Sequence, residues 1–435
     1  MKPYHYVVGL FSWSRRRGFP LRSDPIYNWP HMSTGAYQAL DLKTAGHRQL
    51  LLTYDFPPMP GGIARLTGEL AKRYPPGSLL ISTGSFEKSA GFDAQLPNRV
   101  DRLGIRSSRL RTVQGLMLWS HRATQLARGF RPGFVWCGNL KPAGFPALWL
   151  NGREKTPYGV ILYGSELLLL QQRIRTSRFK RGAARRVFRR AAALVAISEW
   201  TRRLCLEVLD GLGFKSGDID VRRIPLGTDP AHFRPGLDAR SVRARYGLGP
   251  GRWLITVARL VGHKGIDTGL RVLAELRAAY PDLRYAIVGS GPLHIQLEAL
   301  ARDLGVGHLV RFLTAVPDEE LPPLYNCAEI YLGLSRAEGL LMEGFGISLV
   351  EASACGIPVV GARQGGIPDA VREGETGLLV DSTDLRASVE AVQSLLQNQE
   401  LARRLGLEGR RAVETYYNWD RVTADVRRTG EEFVR

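Results

Sequence analysis

Short apolar runs rich in β-branched residues alternate with stretches of helical period twice over in this chain, and that rhythm restricts the fold more than any other feature. From about residue 49, "QLLLTY", "SLLIS", "FVWC", "YGVILY", "ALVAIS" and "DVRRI" read as strands, with helices between most of them, for instance Ile63 to Tyr74 and Glu199 to Leu209. "PLGTDPAHFRPG", residues 225 to 236, interrupts the pattern with three prolines and reads as a linker. The alternation then resumes in "RWLITVA", "RYAIVG", "LVRFL", "EIYLGL", "IPVVGA" and "GLLVD", separated by helices such as Ile266 to Ala279 and Leu293 to Leu304. Repeated strand–helix–strand units specify α/β architecture with parallel, doubly wound sheets. Two Rossmann-like domains are therefore expected, 47–228 and 229–415, with a cleft between them at the C-terminal ends of both sheets. A last helix over 416–435 is expected to pack back on the first domain. Residues 1–46 follow neither period and read as a loose extension.

A length of 435 residues suits two cores rather than one. No window approaches eighteen consecutive apolar residues, so a soluble or peripheral protein is expected. The start, "YVVGLF" running into Arg15-Arg16-Arg17, does not have the form of a secretory signal, which predicts a cytoplasmic location. Cys137, Cys205, Cys327 and Cys355 are scattered without a C-x-x-C pair, as buried reduced thiols would be. The formal charge of +19 favours anionic partners, whether nucleic acid, anionic lipid or phosphorylated substrates, although a diffuse arginine surplus also arises from coding bias.

The densest charge is "RIRTSRFKRGAARRVFRR", residues 173 to 190, with nine Arg or Lys and no acid. On a helix, Arg185 with Arg189 and Arg186 with Arg190 form a positive face, while Ala184, Val187, Phe188 and Ala191 form an apolar one. Such a helix can rest on an anionic bilayer, or it can bury Val187 and Phe188 in the domain core.

The chemistry concentrates in "SRAEGLLMEGFGISLVEASACGIPVVG", residues 335 to 361. A strand is expected to end near Ser335, a loop to carry Glu343, and a helix to run from about Ile347 to Cys355 with Glu351 inside it. The helix start offers unpaired N–H groups and a positive dipole end, which suit a phosphate. Gly344 and Gly346 allow close backbone approach to a ligand. Taken alone, the spacing of the two glutamates is also that of a loop cap and a solvated helix face. "VARLVGHKG" places Arg259 and Lys264 across a turn at a strand end, where two cations can embrace a diphosphate. Gly61-Gly62 lies between the first strand and its helix, where bare N–H groups can meet the same diphosphate from the other domain.

Together, "PPMPGGIARLTGELAKRY", "AISEWTRR", "IPLGTDPAHFRP", "VARLVGHKGIDTGL", "IVGSGPLHIQLEALARDLGV" and "EGFGISLVEASACGIPVVGARQGGIPDAV" resemble the family 4 retaining glycosyltransferases of GT-B fold, in family order from about residue 50 to 380. The resemblance implies transfer of a hexose from a nucleotide diphosphate sugar to an acceptor hydroxyl, without a metal or other cofactor. It implies that Glu343 binds donor-sugar hydroxyls, Glu351 the ribose, and Arg259 and Lys264 the diphosphate. The amides around Gly61, Gly62 and Gly344-Phe345-Gly346-Ile347 would hold the phosphates and sugar. It also implies an acceptor in the first domain, lipid-linked if the basic segment meets a membrane.

Two departures from the family pattern stand out. Where many members carry His-Gly-x-Glu, this chain has Tyr163-Gly164-Ser165-Glu166; Tyr163, Ser165 and Glu166 are candidate sugar or acceptor contacts in place of the histidine, and Tyr163 is equally well read as a packed core side chain. Thr314 takes a place where glycine often lies beside the nucleobase. "VGSGPLHIQ" lacks the third glycine of a dinucleotide fingerprint, and there is no P-loop and no D-x-D cluster near a strand end of the kind that would suggest a metal-dependent transferase. A nucleotide-sugar epimerase of the same fold and a basic nucleic-acid binder are the alternatives; the sequence has no helix-turn-helix, zinc-finger or RRM-like pattern to favour the latter.

Overall fold

A computed structural model of the chain describes residues 48–434, and the expected extension over 1–46 lies outside the described residues. Seven strands build the first sheet: β1 (Gln49–Leu52), β2 (Leu79–Ser85), β3 (Arg99–Arg106), β4 (Phe134–Cys137), β5 (Tyr158–Leu162), β6 (Ala193–Ala196) and β7 (Asp220–Arg223), in the order β3-β2-β1-β4-β5-β6-β7. Six build the second: β8 (Arg252–Val257), β9 (Leu283–Val288), β10 (Val310–Leu313), β11 (Ile330–Gly333), β12 (Val359–Ala362) and β13 (Gly377–Val380), in the order β10-β9-β8-β11-β12-β13. Every pairing in both sheets is parallel. In each, the order reverses once, between β1 and β4 and between β8 and β11. Loops diverge at such a switch point and leave a crevice at the strand C-termini.

The sequence reading gives all of these strands except β3. Its exposure alternates, and it carries Arg99, Asp101, Arg102 and Arg106 at the edge of the sheet. Charges protect an edge strand from pairing with another chain, and they also erase the apolar run by which a strand is read.

Residues 225–236 cross between the domains beside a second crossing at Tyr417–Trp419. The Thr228 N–H donates to the Tyr417 carbonyl at 2.9 Å, and the Trp419 N–H donates to the Thr228 carbonyl at 3.2 Å. Phe233 and Trp419 are buried in this hinge. Helix Trp419–Glu431 then lies on the first domain, where the Gln49 amide donates to the Arg427 carbonyl at 2.8 Å. The Gln49 side-chain oxygen accepts from Tyr74 Oη at 2.8 Å and Trp136 Nε1 at 2.9 Å, so a fully buried amide is satisfied.

The basic segment forms two helices, Ser165–Thr176 and Arg178–Arg190. Ala184, Val187 and Phe188 are buried. The apolar stripe of the second helix is thus spent on the domain core and is not free to enter a bilayer, whereas Arg185, Arg186, Arg189 and Arg190 are exposed. No helix among the described residues is long and apolar enough to cross a membrane. All four cysteines are buried and free.

Candidate active site

The segments that follow β1, β8 and β11 leave their sheets at the switch points and carry most of the predicted site residues. After β8 the chain makes a 3-10 turn, Gly262–Lys264, and Gly265 follows with φ 66°. A Cβ on Gly265 would lie 1.8 Å from the Leu334 carbonyl oxygen, so glycine alone lets this turn press against the end of β11. That contact sets Lys264 beside Glu343. The two form an ion pair whose side chains are 17% and 20% exposed. Burial by itself would raise the Glu343 carboxyl, but Lys264, with His263 and Arg259 adding to it, holds the group below the usual carboxylate range. Burial, then the Lys264 charge, pushes the His263 imidazole down, so it stays neutral at pH 7. Arg259 stands exposed nearby.

Helix Ile347–Ala354 starts from Gly346, at φ 97°, without a side-chain cap. Helix Gly62–Arg73 of the first domain starts from Gly61, at φ 133°, likewise uncapped. The two starts approach each other: a Cβ on Gly62 would lie 3.8 Å from Ile347 Cδ1. Each presents unpaired N–H groups and a positive dipole end, so an anion seated between them is met from both domains. Beside them Thr256, Tyr331, Ser335 and Ser348 line a small pocket with Lys264 and Glu343. Among the described residues no three His, Cys, Asp or Glu side chains converge as a metal site.

Other predicted residues serve the frame around this space. A Cβ on Gly344 would lie 2.3 Å from the Tyr163 carbonyl oxygen, so backbone meets backbone across the cleft there. Tyr163 is buried and its phenol donates to the Gly138 carbonyl at 2.7 Å. The Glu166 carboxylate accepts from the Tyr163 N–H at 2.6 Å and fastens the same loop. Ser165 is exposed at its helix start, and Thr314 is exposed just after β10. Phe345 is buried, its ring 6.3 Å from that of Tyr417 in the hinge, which leaves its backbone to the cleft.

Glu351 is enclosed, with 3% of its surface exposed. It accepts from Tyr325 Oη at 2.8 Å and pairs with Arg65 Nη1 at 2.8 Å. Neither partner was singled out by sequence. Arg65 had one signal: it lies in the first turn of its helix, where the dipole disfavours a cation unless a carboxylate faces it. Asp369 was also missed. It joins the domains by accepting from the Glu199 N–H and from Arg223 Nη1, both at 2.9 Å.

Comparison with known proteins places the chain in a family. The profile "Glycosyl transferase 4-like domain" matches residues 36–221, and "Glycosyl transferases group 1" matches residues 242–412. A GDP-mannose-dependent alpha-(1-6)-phosphatidylinositol monomannoside mannosyltransferase of Mycolicibacterium smegmatis is 33% identical over 381 residues, covering 85% of this chain and 94% of that protein. The enzyme of the same name from Mycobacterium tuberculosis is 30% identical, over 87% of this chain and 97% of its own length. Among solved structures, Anabaena HepE in complex with UDP and glucose superposes with a TM-score of 0.70 at 19% identity, over 88% of this chain and 98% of that one. Both curated relatives are transferases by name, which weighs against the epimerase and nucleic-acid readings. With its two halves matched by the family's two profiles and relatives aligned across the cleft between them, this chain belongs to the group 1 glycosyltransferases of family 4 and carries their GT-B fold.

Proposed function

We propose that the enzyme transfers a mannosyl residue from GDP-mannose to a hydroxyl of a phosphatidylinositol-type glycolipid, with retention at the anomeric carbon and without a metal ion. The donor and acceptor classes come from the names of the relatives. The observation that carries the chemistry is the Lys264–Glu343 pair set beside two uncapped helix starts. As the bond from the anomeric carbon to the phosphate oxygen breaks, negative charge grows on the diphosphate and positive charge on the sugar. Arg259, Lys264 and the helix N–H groups face the first, and Glu343 faces the hydroxyls of the second. The acceptor oxygen bonds the anomeric carbon on the face that the diphosphate leaves, and the departing phosphate oxygen takes the acceptor's proton. Purified protein given GDP-mannose and phosphatidylinositol monomannoside in vesicles is expected to release GDP in step with acceptor glycosylation. GDP release that ignores the acceptor, or a preference for another nucleotide sugar, defeats this assignment.

The exposed arginines of helix Arg178–Arg190 support peripheral contact with anionic lipid that is electrostatic rather than inserted. Arg173 and Lys180 lie near enough to Lys141 for their charges to add to the desolvation that holds its amine below the ordinary range. Phe179, 86% exposed, adds one apolar side chain to the start of that helix. Sedimentation with phosphatidylglycerol-containing liposomes is expected to fall with salt and to be lost when Arg185, Arg186, Arg189 and Arg190 become Gln. A quadruple variant that sediments like wild type removes this helix as the contact.

A further inference from the structure

Arg65 and Glu351 belong to different domains. Glu351 sits in helix Ile347–Ala354 of the second, and Tyr325, which donates to one of its oxygens at 2.8 Å, belongs to that domain too. Arg65 reaches the other oxygen at 2.8 Å from helix Gly62–Arg73 of the first. Its guanidinium also lies over the Phe233 ring of the hinge, 5.4 Å from the centroid. When the domains separate, Tyr325 travels with Glu351 and Arg65 does not. The pair therefore exists only while the cleft is closed.

With 3% of its surface exposed, Glu351 has no open face for a ligand in this closed arrangement. A vicinal diol offers a carboxylate two O–H donors, the same polarity that a guanidinium offers through N–H. A carboxylate this enclosed is costly to leave unpaired, so one set of donors has to replace the other. We propose that Arg65 is a positioning residue that occupies Glu351 in place of the donor's ribose, and that the nucleoside seats by displacing it. This rests on the reading of Glu351 as the ribose carboxylate. The displacement lowers apparent nucleotide affinity, because only the fraction of molecules with the pair broken is competent to bind. It also ties the release of product to the domain motion that lets Arg65 return.

Calorimetric titration with GDP tests the exchange. Arg65→Gln is expected to bind GDP roughly tenfold more tightly than wild type, and to have no effect when placed in Glu351→Gln, since it acts through that carboxylate. Arg65→Lys keeps the cation and is expected to stay near wild type, which separates the exchange from damage to the helix. GDP affinity unchanged or weakened in Arg65→Gln, or a gain that persists undiminished in the Glu351→Gln background, overturns the proposal. The reading beneath it fails separately: wild type that binds GDP and 2′,3′-dideoxy-GDP alike shows that Glu351 does not hold the diol.

Discussion

Replacing Arg259 and Lys264 together by Ala is expected to lower kcat/KM about a thousandfold or more, on the order of 4 kcal/mol of transition-state stabilisation. The reason is where the charge goes. In the ground state the diphosphate is bonded to the sugar; in the transition state it carries an additional charge in a cleft with little water to screen it. Lys264 is mostly buried, and Gly265 fixes its turn against the end of β11, so its ammonium is held in place before the reaction begins. Arg259 is exposed and adds a guanidinium, whose flat fork can grip two phosphate oxygens at once. Loss of Lys264 also leaves Glu343 without its ion-pair partner, so unfolding by denaturant must accompany the kinetics. A folded double variant with wild-type turnover, or a wild-type activity that EDTA abolishes, assigns the leaving-group charge to a metal instead.

The parts of this site that sequence makes visible are those whose local chemistry is extreme. Gly61 and Gly346 both have positive φ, and each precedes a helix that follows a strand, so pattern alone points to them, whereas the need for glycine at 265 shows only in its approach to Leu334. Lys264 and Glu343 are legible as charges at strand ends, yet nothing in their spacing of 79 residues says that they touch. Their meeting depends on β8 and β11 lying side by side, which is a property of the sheet order. Arg65 is harder still, because its partner lies in the other domain and the pair depends on the hinge angle. Val187 and Phe188 show the opposite limit: an amphipathic stripe is the same whether it faces a core or a bilayer, and only the neighbouring helices decide. β3 is hidden because charges interrupt its apolar alternation: Asp101 is buried against Arg122, and Arg102 pairs with Asp93.

Glu343→Ala is expected to lower kcat by two to three orders of magnitude, roughly 3–4 kcal/mol, while GDP binds as well as or better than in wild type. The asymmetry follows from the ion pair. In the empty enzyme Lys264 is engaged by Glu343, and truncating Glu343 frees that ammonium for the diphosphate. Nucleotide affinity therefore has no reason to fall, whereas the sugar loses the carboxylate that orients its hydroxyls as the anomeric carbon gains positive charge. Acid pH gives an independent reading of the same group. Its folded value lies below that of the unfolded chain, so the pair's contribution to stability is whole above about pH 4.3 and is lost as pH falls through the lower folded value. Wild type is thus expected to melt above Glu343→Gln by a steady margin from pH 7 down to about 4.5, with the margin closing below. A margin that stays constant down to about pH 3, or that is already absent at pH 7, would mean that Glu343 gains nothing from its pairing with Lys264. A Glu343→Ala chain that loses GDP affinity but keeps its kcat would move this carboxylate from the sugar to the nucleotide.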